Sequence, residues 1–161
     1  MREAKGPVRA ALGVPALGVP ALGVTAVAAL ALLTGCSSTV HVEPPTPTGE
    51  AAAACRTLDA ALPKTLDGLD RVDSDPPSPY VAVWGDGQIA LRCGVPRPAA
   101  MEPTAEVADI NGVGWFQDPR RPALYTSVNR VAYVEVTIGQ GHQAGAVLVD
   151  LAEPVKSSIP E

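Results

Sequence analysis

Gln88-Ile89-Ala90-Leu91-Arg92-Cys93 alternates, placing Ile89, Leu91 and Cys93 on one side of an extended chain and Gln88, Ala90 and Arg92 on the other. That period of two is the mark of a half-buried strand, so Cys93 points into a core. A second stretch supplies the opposite wall. Ala51 to Leu62 is alanine-rich, follows Thr48-Gly49-Glu50 and is stopped by Pro63, which together predict a helix. Cys55, Leu58 and Leu62 recur at i, i+3 and i+7, one apolar stripe with a thiol on it. Two patterns of different period each turn a cysteine inward.

Working outward, Asp67 to Pro79 is rich in Asp, Ser, Pro and Gly and reads as a loop. Ser78-Pro79 reads as the cap of a short helix over residues 80–84 ended by Gly85, with a strand as the alternative because Val81, Val83 and Trp84 suit one. After the Pro-rich crossing from Gly94 to Pro103, Glu106 to Ile110 and Val113 to Gln117 flank Asn111-Gly112, a strong hairpin signal. Leu124 to Val128 and Val131 to Ile138 form a second hairpin around Asn129-Arg130. Ala144 to Ser158 is a terminal helix with Val147, Leu148, Leu151 and Val155 inward and Pro154 expected to kink or divide it. The sum is an α+β fold. An antiparallel sheet of about five strands should carry an N-terminal and a C-terminal helix on one face, with one disulfide.

The beginning of the chain has another character. Residues 1–9 are basic, residues 10–33 are apolar, and Leu33-Thr34-Gly35-Cys36 has the small residues before a cysteine that mark lipidation and cleavage of a bacterial lipoprotein. Three tandem Ala-Leu-Gly-Val copies broken by Pro15 and Pro20 are poor helix material, so a cleaved leader is favoured over a spanning helix. The expected organisation is a signal peptide over 1–35, a lipidated cysteine and flexible Pro/Thr/Ser tether over 36–50, and an extracytoplasmic domain over 51–161. The tether, Ser37 to Glu50, has three prolines and no apolar period, and its reach as polyproline is about 40 Å.

Of 161 residues, 12 are basic and 17 acidic; the leader removes three basic and one acidic, leaving nine and 16, a net charge of −7. So acidic a domain is ill-suited to nucleic acid or to electrostatic capture by anionic lipid, and its membrane attachment must come from the lipid on Cys36. Export also makes sense of three cysteines, an odd number. With Cys36 acylated, Cys55 and Cys93 remain in an oxidising compartment, where a disulfide is favoured over two buried thiols. No CxxC spacing suggests a metal, and no cofactor is expected.

The residues from 51 to 159 resemble a family of actinobacterial lipoproteins grouped as domain-of-unknown-function family thirty-five fifteen. The similarity rests on Cys55-Arg56, Trp84-Gly85-Asp86, Leu91 to Pro98, Asn111-Gly112-Val113 with Trp115-Phe116, and Arg130 to Val136. The resemblance implies an exported, membrane-anchored protein with no assigned activity, cofactor or catalytic residue.

Chemistry-bearing residues are sparse. Gly139-Gln140-Gly141-His142-Gln143-Ala144 fits a loose GxGxxA pattern, but its strand belongs to a hairpin and no βαβ unit follows, so a turn is favoured over a nucleotide site. His142 is the only histidine after residue 50, and no serine sits in a Gly-x-Ser-x-Gly elbow, so a solvated loop histidine is favoured over a catalytic one. His41 reads as a solvated tether residue. Asp67, Asp70, Asp73 and Asp75 lack the glycine and terminal glutamate of an EF-hand. Trp84, Arg92, Arg97 and Trp115 are a candidate binding surface, with tryptophans able to stack on sugars; in a chain of six aromatic residues, both tryptophans as core is the favoured alternative.

The expected function is therefore a non-enzymatic binding or structural accessory of the cell envelope, lipid-anchored outside the membrane, with an envelope protein or glycan as partner. The alternative is a tethered cell-wall hydrolase or modifying enzyme using His142.

Overall fold

A computed structural model describes residues 39–161. The predicted leader and the lipidation site at Cys36 lie outside the described residues. In chain order the elements are β1 (Thr39–His41), α1 (Gly49–Ala61), β2 (Thr65–Leu66), β3 (Leu69–Asp75), β4 (Val81–Trp84) and β5 (Ile89–Val95), then β6 (Ala108–Ile110), β7 (Val113–Gln117), β8 (Leu124–Val128), β9 (Tyr133–Ile138) and α2 (Ala144–Ser158). The class is α+β, but the sheet has nine strands where about five were expected. They run in the order β1-β3-β4-β5-β9-β8-β7-β6, with β2 paired to β3 off this path. All pairings are antiparallel except β1 with β3.

The extra strands come from segments without a clean period. The stretch predicted as a loop contains β3, which carries five polar residues among its seven and pairs on both edges. Residues 81–84 form β4, a strand and not the expected helix. Every one of its residues is buried, because Ala82 and Trp84 face the helices while Val81 and Val83 face the other side. A strand buried on both faces loses its alternation, which is why propensity left the choice open.

The first wall of the core is as the two periodicities predict. Ala52, Ala54, Cys55 and Leu58 of α1 are buried, and the helix ends where Pro63 forces Leu62 to an extended backbone, ψ 143°. From α2, Val147, Leu148, Leu151 and Val155 are buried, and the helix runs on through Pro154. The carbonyl that Pro154 leaves unpaired belongs to Asp150, an exposed residue whose carbonyl water can serve. Both helices join one apolar cluster with Ile89, Leu91 and Cys93 of β5 and Val134, Val136 and Ile138 of β9. Cys55 and Cys93 are disulfide-bonded, with Cα atoms 5.6 Å apart.

The other wall is of a different kind. Val83, Phe116, Thr126 and Val128 point away from the helices and are still at most 5% exposed. They lie under irregular chain. Residues 39–48, expected to be a flexible tether, run along and across the sheet: β1 pairs with Asp73 to Asp75, the N–H of Val42 donates to the Asp75 carbonyl, and Pro45 is buried. Pro47 seats on Gly94, whose φ of +86° and missing side chain permit the contact; a Cβ there would stand 2.5 Å from the proline ring. Toward the other end of the sheet, the side chain of Val107 closes over Gly114, where a Cβ would lie 3.0 Å from it. A segment that binds through main chain and proline rings needs no apolar period, so composition alone reads it as free.

Candidate functional site

Two grooves lie at opposite edges of the sheet. The first, about 980 Å³, is bordered by Thr39 of β1, by Asp73 and Asp75 of β3 and by Pro77 to Pro79. Its floor is held by Arg71, which donates to the carboxylate and the carbonyl of Asp59 in α1 and lies 6.0 Å from the ring of Trp84. The second, about 820 Å³, lies between the loop from Ala100 to Val107 and the strand β7, with Glu102, Glu106, Trp115 and Phe116 along it.

The four residues of the candidate binding surface do not assemble. Trp84 is 0% and Trp115 1% exposed, so neither offers a ring for stacking. The indole N–H of Trp84 donates to the Pro63 carbonyl at 3.1 Å, tying β4 to the end of α1. That of Trp115 is buried without an acceptor among the described residues. Arg92 lies on the face away from the helices, as the alternation predicts. It is a fastener: Nη1 donates to Glu135 of β9 at 3.0 Å and Nε to the carbonyl of Glu43 in the crossing segment. Arg97 is exposed in the chain that follows β5. The aromatic platform is thereby overturned, for the reason that a core with one phenylalanine uses both tryptophans to fill itself.

His142 is not a solvated loop residue either. Its side chain is 13% exposed, with Nδ1 2.7 Å from Asp67 Oδ2 and Nε2 3.0 Å from Gln88 Oε1. Asp67 comes from the β2–β3 turn, Gln88 from the β4–β5 turn and His142 from the loop before α2, so one imidazole joins three connections. Both ring nitrogens are engaged, and neither contact is to a hydroxyl or thiol. The first glycine of the GxGxxA stretch belongs to this junction. Gly139 donates to the Gln88 carbonyl at 2.7 Å, and a Cβ on it would lie 2.8 Å from that oxygen. The motif is a close packing of two turns.

Arg130, which the sequence places in the Asn129-Arg130 turn and in a block of family resemblance, has a structural role that neither announces. Its side chain is 3% exposed and it donates to the carbonyls of Ile159 and Gly112, each at 2.7 Å, pinning the chain end to the Asn111-Gly112 turn. No periodic signal could have announced it, since a buried arginine is the exception among its kind. The aspartates also disperse. Asp70, Asp73 and Asp75 lie on β3 and Asp67 in the preceding turn, and the described residues contain no group of three or more side chains able to hold a metal ion. His41 remains exposed beside Asp75, 3.8 Å away.

Among the described residues no helix is long and apolar enough to cross a membrane. A family described as "Protein of unknown function (DUF3515)" matches residues 16–161. No curated protein and no solved structure matches the chain.

Proposed function

The chain belongs to the DUF3515 family, and from that premise we propose that it is an extracytoplasmic lipoprotein, anchored through lipid on Cys36, that acts as a non-enzymatic binding or structural accessory of the cell envelope. The observation that carries this reading is the Cys55–Cys93 disulfide. Disulfides persist in oxidising compartments, and the bond leaves Cys36, in a lipobox-like context, as the one cysteine still to be explained.

The accessory reading is favoured over a hydrolase by the surroundings of His142. A general base must reach the proton it abstracts, yet here Nδ1 and Nε2 are both occupied, by a carboxylate and an amide from neighbouring turns. The partner we favour is an envelope protein, because a glycan would lack the exposed aromatic face that sugars stack on. A domain with an acidic surface would not be drawn to nucleic acid.

Replacing Cys36 tests the anchor. The Cys36→Ala chain should leave the membrane fraction and lose incorporation of labelled palmitate; unchanged labelling would contradict the reading. For the activity, a protein partner recovered with the membrane-extracted chain, its capture lost on mutating one of the two grooves, would support an accessory. Cleavage of cell-wall material, lost on His142→Ala, would favour the enzyme.

A further inference from the structure

The position of β1 sets how far the domain can stand from its anchor. Cys36 and Thr39 are separated by Ser37 and Ser38, and three Cα-to-Cα steps span at most about 11 Å. Beyond Thr39 the chain is no longer a leash: Thr39 to His41 lie in register with Asp73 to Asp75, the Val42 N–H holds the Asp75 carbonyl, Arg92 holds the Glu43 carbonyl, and Pro47 fills the space over Gly94. The reach of about 40 Å expected of a free tether is thus cut to roughly a quarter of that.

We infer that the β1 edge of the sheet rests against the bilayer surface, and that the groove of Thr39, Asp73, Asp75 and Ser78 takes the ammonium ends of zwitterionic phospholipid headgroups. This rests on the lipoprotein reading above. The short span between Cys36 and β1 selects the occupant, and charge agrees with it. Asp73 and Asp75 are exposed, and the groove's arginine, Arg71, is already bound to Asp59, so the open mouth is acidic. Strand order then fixes what faces outward. From β1 to β6 there are seven steps across the sheet, about 34 Å at the usual strand spacing, so the groove by Glu102, Glu106 and Trp115 lies away from the lipid and is the one left for a soluble partner.

The test uses the mature lipidated chain in nanodiscs of phosphatidylethanolamine doped with a headgroup-spin-labelled lipid, its intact mass having first been read for the lipid on Cys36. Amide signals of residues 39–42, 73–75 and 78 should be lost to paramagnetic broadening while those of 108–112 persist. Val42→Pro removes the donor to Asp75 and should spread the broadening evenly, with the disulfide still formed. Equal attenuation at the two edges, or none at either, in a chain whose mass shows the lipid would overturn the inference and leave the lipoprotein reading standing. A mass without lipid on Cys36 would overturn both.

Discussion

The two faces of the sheet are buried by opposite means. On one, α1 and α2 lay apolar stripes against Ile89, Leu91, Val134 and Val136, and a covalent bond joins helix to strand. On the other, irregular chain holds Val83, Phe116 and Val128 out of water through prolines, carbonyls and one arginine. The helix face is a core in the ordinary sense and should carry most of the stability. The strapped face is a fastening, and it should govern where the N-terminal segment goes more than whether the domain folds.

The largest test of this contrast removes the covalent link. Cys55→Ala with Cys93→Ala should cost about 4 kcal/mol on the chain-entropy account of a 38-residue separation, read as a lower urea midpoint. A loss under about 1 kcal/mol would mean that the helix face stands without its bond. Gly94→Ala comes next and attacks the strap. The added methyl collides with Pro47 on a backbone that disfavours it, so a loss of about 2 kcal/mol is expected, together with faster hydrogen exchange at the Val42 amide. If exchange at Val42 stays slow, Pro47 is not what holds the segment down.

Arg92→Met should cost about 1 kcal/mol, since Arg92 is a third exposed and its partners keep some access to water. The same exchange readout should move, because the Glu43 carbonyl loses its donor. The smallest effect is expected at Asp118, remote from both faces' fastenings. Its carboxylate accepts from the Arg120 N–H at 2.9 Å and from the Arg121 guanidinium, and these hold its pKa below the ordinary value. A depressed carboxylate stabilises the fold above its unfolded pKa, and the contribution fades as pH falls below about 4 through the folded value. Asp118→Asn should flatten that acid limb of the stability curve; an unchanged slope would show the carboxylate to be idle.

What could be read from the sequence divides along the same line. The α1 and α2 stripes, the alternation through Cys93 and in β9, and the Asn111-Gly112 hairpin, with φ of 53° and 83°, are all local periodicities or turn chemistry, and all describe the helix face or its turns. The strapped face was illegible because nothing in Thr39 to Thr48 repeats. Pro47 gains its meaning only from Gly94, 47 positions on. The junction of His142 with Asp67 and Gln88 failed for the same reason: its members come from three separate turns, and no spacing links them. Trp84 and Trp115 are ambiguous in the sequence because tryptophan serves cores and contact surfaces alike.

The central claim is that export accounts for every cysteine, Cys36, Cys55 and Cys93, and the most direct measurement is the intact mass of the protein taken from native membranes, alkylated without reductant. The account predicts a chain beginning at Cys36, heavier by a diacylglyceryl group, with no alkylated thiol. A chain that retains residues 1–35 and takes up three alkyl groups would contradict it.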